Sequence, residues 1–434
     1  MDSFEGDDMS KYRIIGNMTG NSMDAVDLVL TEFDGEKMVD ICTFSKPYLQ
    51  EMREKMEWLR GAVFNKTREE IEAIPEFFKI HNDYICGIAE CIDEMCQKFG
   101  IDKRTVDAIG FHGKTLDHNP PSRAKQEKTK PYTLQMGSGQ MLADLSGIKV
   151  VYDFRSDFVM AGFEGAPMAA PHNARIAAIE GDGCYFNGGN TANFALIADK
   201  KAVLATDTGP FNEYTDNFIR QNSAYAYDVD GMFGKQGQLD KEMVAFLFDV
   251  GRKYYEQVLP KSGDPAYYFK EDVFEYVRKR GILFENAVRT FEYFAAYIAV
   301  QALSLVPAEI KIPKEMVLFG GGWKNPVVYD DFCALLDRKG FVLPEHKEAF
   351  ASLLRRCSGG FKVRYSDFGA YMEARAFADM ARCRLEGQAW DVPEVTGQKI
   401  IAGRIAVPQK MSNCFYDDCL CRAAKGWQRE KIKY

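Results

Sequence analysis

The chain is 434 residues long, 46% hydrophobic and 27% charged, a globular composition that excludes a disordered or collagen-like protein and suggests two or three domains. Lys and Arg number 55 against 63 Asp and Glu, a formal net charge of −8, so a nucleic-acid backbone or an anionic membrane face would meet repulsion. No run approaches the roughly eighteen apolar residues of a spanning helix, and the acidic start MDSFEGDDMSKY is unlike a signal peptide; small-molecule chemistry in the cytoplasm is the expectation.

In chain order, RIIGNMTGNSMDAVDLVLTEFDG is an apolar run, a Gly/Thr/Asn/Ser turn and an alternating run from Val26 to Phe33, which predicts strand, loop, strand. Arg68 to Phe99 has helical spacing, with Cys86, Cys91 and Cys96 among its apolar residues as small core side chains. A short apolar segment, VDAIGF, leads into HGKT, and TLQMGSGQMLADLSGIKVVYDFR predicts strand, helix, strand. About 170 residues after the first hairpin a second follows, CYFNGGNTANFALIADKKAVLATDTG, so the supersecondary plan looks duplicated. Helical stretches from Lys241 to Val258 and Leu283 to Leu305 precede MVLFGGGWKNP, a buried strand running into three glycines, and EARAFADMARCRL predicts a late helix. Alternating helices and strands make the class α/β. Cys414, Cys419 and Cys421 lack the paired spacing of a zinc site, and the segment from Ser412 onward is expected to be a terminal appendage.

Glycine turns let backbone N–H groups approach an anion. AIGFHGKT imitates a phosphate-binding loop but has Ala108 where that pattern needs glycine, and the GSG at Gly137–Gly139 has Leu142 where a dinucleotide fingerprint needs its third. The turns TGNS (Thr19 to Ser22) and NGGNT (Asn187 to Thr191), with FGGG (Phe319 to Gly322), remain. Each alone reads as a β-turn; two matching hairpins ahead of a triple glycine suit a polyphosphate and an adenine.

The segments GNMTGNSMDAVD, HGKTLDH, TLQMGSGQMLADLSGI, DFRSDFVMAGFEGAP, DTGPFNEYTD, PKSGDPAYYF, FGGGWKNP, EARAFA and VTG resemble, in order along almost the whole chain, the motifs of the anhydro-N-acetylmuramic acid kinases, relatives of levoglucosan kinase. The resemblance implies two actin-like lobes around an ATP cleft, taken here as residues 1–179 and 180–434, with the late helix free to return to the first lobe. It also implies phosphorylation of a 1,6-anhydro sugar with hydrolysis of the anhydro bridge, using ATP and Mg²⁺. Expected partners are the small sugar and ATP, not nucleic acid or membrane, with a homodimer left open.

By the same resemblance Thr19, Gly20, Asn21 and Ser22 line the first phosphate loop and Asp24 holds the metal. Gly188, Gly189 and Asn190 form the second loop, Asp207, Thr208 and Gly209 lie near the nucleotide, and Gly320, Gly321 and Gly322 face adenine. His112 and Thr115 contact the sugar, and Glu373 serves sugar and metal. A turn-like segment is expected between His112 and His118. The water-activating base in the family is the second Asp of a DFRxxD pattern, whereas here Asp157 stands one residue early and Phe158 occupies that position. On a strand a one-residue shift turns a side chain to the other face, while an irregular loop could restore Asp157; it is taken as the base, the alternatives being a silent binding member or a sugar kinase without hydrolysis. Lys114 and Asp117 replace Gln and Arg of the family's HGQTxRH, and Phe163 and Glu164 add bulk and charge to its GGQGAP, so the sugar itself is an open matter.

Overall fold

The computed structural model describes residues 11–20, 25–35, 37–64, 66–263, 267–268, 272–357, 359–392, 397–409, 416 and 418–423. They form two compact units: one holds the chain to Gly165 together with Tyr371–Val392 and the described residues from Gly397 on, the other Ala166–Ala370.

In the first unit β1 (Lys11–Met18), β2 (Ala25–Asp34) and β3 (Lys37–Pro47) form an antiparallel meander, and β4 (Ala108–Phe111) and β7 (Val150–Tyr152) extend it in parallel beside β1. The short strand Arg404–Ala406 closes the far edge, antiparallel to β7. A hairpin of β5 (Lys114–Asn119) and β6 (Tyr132–Met136) stands apart from this sheet. The helix Phe77–Phe99 buries Ile80, Tyr84, Ile88, Cys91, Ile92 and Met95 at three- and four-residue intervals, one face of a 3.6-residue period, and stops at Gly100 in the left-handed region. Pro75 separates it from the short helix Arg68–Glu72, whose start carries a Thr67–Glu70 capping box. The late helix Met372–Glu386 packs on β1, β2 and β4. It comes so close that a Cβ at Gly16 would lie 1.9 Å from the carbonyl oxygen of Ala374, and one at Gly110 would lie 2.1 Å from that of Phe377.

The second unit repeats the plan. β8 (Gly183–Gly188), β9 (Thr191–Ala198) and β10 (Lys201–Pro210) make the meander, and β11 (Glu315–Phe319) and β12 (Lys362–Tyr365) extend it in parallel beside β8. The helix Phe284–Ser304 is buried along nearly its whole length within a core rich in aromatic residues, Tyr214, Tyr255, Tyr268 and Phe294 among them. The same strand order in both units is the duplicated α/β plan expected from the two hairpins and matches the actin-like lobes that the resemblance implies.

Four expectations need correction. The division falls after Gly165 instead of at 179/180, because the helix Ala170–Glu180 packs on β9 and β10. The segment DFRSDF is neither strand nor loop: Phe154–Met160 is a helix. The stretch between His112 and His118 contains β5 instead of a turn. Finally, the described part of the C-terminal region is not an appendage, since Cys419, Leu420 and Cys421 are buried in the first unit's core; Cys414 lies outside the described residues. Cys91 and Cys96 are buried as expected, with Cys86 half-buried.

Candidate functional site

The residues singled out by sequence gather in one place in the second unit and are spread in the first over the end of β1, the β5 hairpin, the helix Phe154–Met160 and the late helix. In the second unit the β8–β9 turn, the end of β10 and the glycines after β11 converge. Gly320, at φ +91°, sits against the β8 end: a Cβ there would fall 2.5 Å from Asn187 Oδ1 and 2.8 Å from the carbonyl oxygen of Gly188. The carbonyl of Asn190 accepts from the amides of Phe211 (2.7 Å) and Glu213 (3.3 Å), and that of Gly189 from Asn212 (3.1 Å). Gly188 and Gly322 are pressed on Phe211. Gly189 and Gly321 differ, because a Cβ at Gly189 would meet only Thr191 O at 3.5 Å and one at Gly321 would meet nothing within 4 Å. Packing does not require glycine at either place, and both leave backbone open to a ligand.

Asp207 is buried; its Oδ2 accepts the Gly263 amide at 2.6 Å and its own amide donates to Lys261 O at 2.9 Å. Thr208, the extra residue where the β10–β9 register shifts, donates its hydroxyl to Ala192 O at 3.1 Å, and Gly209 pairs with Ala192. Lys261, part of the PKSGDPAYYF segment but given no role there, is 1% exposed and donates to the carbonyls of Tyr254 (3.2 Å) and Tyr255 (2.9 Å). Burial pulls its pKa down to about 7 against the opposing pull of Asp207. Deeper in this unit, Asn325 donates to Glu292 Oε1 at 2.6 Å. Burial, reinforced by Asp228, pushes Glu292 up to about 9.

In the first unit Thr19 Oγ1 is hydrogen-bonded to the Tyr48 hydroxyl at 2.9 Å, and buried Lys114 donates from Nζ to Gly20 O at 2.9 Å. The lysine that stands for a family glutamine therefore pins the start of the first loop. Asn21, Ser22 and Asp24 lie outside the described residues. Glu373 is half-buried in the first turn of the late helix, beside the Ala374 contact with Gly16.

His112 is fully engaged. Arg155 Nη2 donates to its Nε2 at 3.1 Å, so Nδ1 carries the proton and donates to Gly113 O at 2.9 Å. Burial, with Arg155 adding to it, holds this imidazole well below its ordinary pKa and hence neutral. Gln135, directly across the hairpin, donates to Thr115 Oγ1 at 3.3 Å. Asp117 accepts from the Tyr132 hydroxyl at 2.6 Å and from the amide of His118 at 2.7 Å. Glu164 accepts from the Ser122 amide (3.0 Å) and hydroxyl (2.7 Å).

Asp153 takes the left-handed conformation at φ 58° ahead of the helix Phe154–Met160, an uncommon place for a residue other than glycine. On that helix successive side chains point about 100° apart. Phe158 is buried in the core and Asp157 is half-buried at the surface of the unit. Asp157 Oδ2 accepts from the Gly403 amide and from Arg422 Nη2, each at 2.7 Å. No sequence motif distinguishes Arg422 from the other basic residues of the tail.

An Mg²⁺ ion prefers six oxygens, usually one or two carboxylates with waters and substrate phosphates. Among the described residues no three His, Cys, Asp or Glu form a group that could hold a metal ion; Glu373 is the one described residue of the two expected to serve as its carboxylates. No helix among the described residues is long and apolar enough to cross a membrane.

The family model for anhydro-N-acetylmuramic acid kinase matches residues 12–352. A protein of that name from Rhizobium rhizogenes is 29% identical over 391 residues, 88% of this chain and 95% of the relative. One from Rhizorhabdus wittichii is 29% identical over 394 residues, covering 90% and 96%. Among solved structures, component A of (R)-2-hydroxyglutaryl-CoA dehydratase from Acidaminococcus fermentans aligns over 85% of this chain and 96% of its own, with a TM-score of 0.41 and 10% identity. With the family model spanning most of its length, the chain belongs to the anhydro-N-acetylmuramic acid kinase family.

Proposed function

We propose that the protein uses ATP to phosphorylate a 1,6-anhydro sugar and opens the anhydro bridge with water in the same reaction. The observation that carries this reading is the family match over residues 12–352, on a chain whose units repeat one sheet plan and whose second unit gathers three glycine-bearing segments.

Phosphoryl transfer asks the protein mainly for positioning and charge stabilisation. Thr19 and Gly20, continuing into Asn21 and Ser22, are assigned to one phosphate loop, and Gly188, Gly189 and Asn190 to the other. Asp207, Thr208 and Gly209 back the second loop, and Gly320–Gly322 give adenine a flat backbone surface. Glu373 and Asp24 would hold Mg²⁺, which when bound offsets the charge on the transferring group. For the sugar, Asp157 takes a proton from water as the new oxygen–C1 bond forms and the C1–O6 bond breaks; O6 receives the γ-phosphoryl group. Thr115 and His112 line the sugar, His112 as a neutral ring that shapes the site without exchanging a proton.

Asp117 has no cationic partner among the described residues. Like charges at close range cost on the order of 1 kcal/mol even in a water-like dielectric, so a neutral anhydro sugar is the favoured substrate class over one carrying a lactyl carboxylate. Coupled ADP release with a neutral anhydrohexose and with anhydro-N-acetylmuramic acid tests both statements. Turnover of the neutral sugar several-fold above the acidic one is expected. A strong preference for the acidic sugar removes the role given to Asp117, and turnover of neither removes the kinase reading.

A further inference from the structure

The described end of the chain is built into the first unit as an added strand. The Gly137 amide donates to Cys419 O at 2.9 Å, the Cys421 amide to Gln135 O at 2.9 Å and the Thr133 amide to Ala423 O at 3.2 Å. These bonds recur at every second residue, the ladder of an antiparallel pair, along the free edge of β6. Asp418 anchors one end: it accepts from the Ser138 hydroxyl and from the Gln140 amide, the latter at 3.2 Å, at the start of the helix Gly139–Ser146. Leu420 and Cys421 are buried, and the Cys421 thiol donates to Thr133 O at 3.0 Å.

This strand carries Arg422 to two carboxylates. Its Nε donates to Asp153 Oδ2 at 2.7 Å, its amide to the same oxygen at 3.2 Å, and its Nη2 to Asp157 Oδ2 at 2.7 Å. Asp153 is buried and is supplied with charge and hydrogen bonds by Arg422 already, so neutralising it does not require the reach to Asp157. That second contact, with the Gly403 amide at 2.7 Å, fills Oδ2 and fixes the plane of the carboxylate. Asp157 Oδ1 accepts no hydrogen bond among the described residues. A carboxylate held in this way meets its reactant without first losing rotamer freedom.

We propose that the segment Asp418–Ala423 completes the first unit's site and that Arg422 is the positioning residue for Asp157. This rests on the reading of Asp157 as the water-activating base. Arg422 touches no reacting atom; it holds one oxygen of Asp157 so that the other faces the water. The strand is anchored by backbone bonds and buried side chains, so it is a fixed part of the site and not a releasable restraint.

Full-length Arg422→Ala and Arg422→Lys proteins, assayed for ADP release per folded molecule with folding followed by thermal melting, test the assignment. Arg422→Ala is expected to lower kcat at least about tenfold while KM for ATP stays within roughly twofold. Guanidinium at millimolar concentration should restore part of that kcat, and Arg422→Lys, which keeps charge but not the fork, should fall in between. The lysine protein also answers the question if Arg422→Ala does not fold. An unchanged kcat in the folded variants overturns the inference, as does a rise in kcat, which would mark the strand as a restraint. No turnover by the unmutated protein overturns the kinase reading and this inference with it, whereas turnover that survives both substitutions overturns this inference alone.

Discussion

The candidate residues of the two units are made of different material. In the second unit the site is backbone: Gly320 and Gly188 are set by close approach, and Gly189 and Gly321 border open space. In the first unit it is side chain: Asp157 is tied by Arg422 and Gly403, His112 by Arg155, and Asp117 by Tyr132. Backbone surfaces suit a common ligand such as a nucleotide, whose phosphates and flat base ask only for N–H groups and room. Side-chain networks suit the variable partner, because one substitution alters charge or reach without disturbing the sheet. The departures of this chain from the family pattern at Lys114, Asp117, Phe158 and Glu164 all fall in the first unit.

The largest expected effect lies on the side chains of the first unit. Asp157→Asn keeps volume and hydrogen bonding but removes the carboxylate proposed as the base, so turnover should fall roughly 10²–10⁴-fold with ATP binding retained in calorimetric titration. Asp153→Asn is the matching control: it should lower the melting temperature through the Arg422 contact, with a smaller loss of turnover per folded molecule. The reverse ranking, with both proteins folded, would make Asp153 the functional carboxylate.

On the backbone side, Gly320→Ala should destabilise the second unit by about 3 kcal/mol, from the strained φ and the clash with Asn187 and Gly188. Gly321→Ala should leave the melting temperature within a degree or two and weaken ATP binding instead. If both glycines behaved alike, the distinction between packing glycines and ligand glycines would fail.

A third difference is titratable. In the unfolded chain Glu292 ionises near its ordinary value of 4.5, whereas burial and Asp228 raise it to about 9 in the folded unit. Folding therefore takes up a proton between those values, and the contribution of Glu292 declines as pH rises, by about 1.4 kcal/mol per pH unit. Denaturant titrations of the unmutated protein and Glu292→Gln should nearly coincide at pH 5 and separate in favour of Gln by pH 8. Parallel curves would show that this carboxyl is ionised in the fold. The smallest effect is expected for Asp117→Asn, a few-fold rise in relative turnover of the acidic sugar.

Much of the second unit's cluster was legible because glycine and turn residues mark a backbone directly: NGGNT, DTGP and FGGG are contiguous strings, and the fold brings them together. The duplicated sheets were legible from two hairpins of matching pattern. The first unit's candidate residues were legible only in part. Asp157 could be named, but a count along DFRSDF could not tell strand from loop, and the helix Phe154–Met160 is neither. Arg422 lies 265 residues from Asp157 in the chain, and its partner strand is defined by backbone bonds to β6 that no local period encodes. No role could be read for Lys261, although it lies in PKSGDPAYYF, or for Glu292, since their unusual environments come from residues distant in sequence.

The most direct test of the central claim is to run the unmutated protein with ATP and a 1,6-anhydro sugar in water enriched in ¹⁸O and weigh the product. The account predicts a sugar 6-phosphate whose anhydro bridge is opened and whose C1 hydroxyl carries one ¹⁸O, formed in step with ADP. A phosphorylated sugar that keeps its anhydro bridge, or ADP release with no phosphorylated sugar, would contradict it.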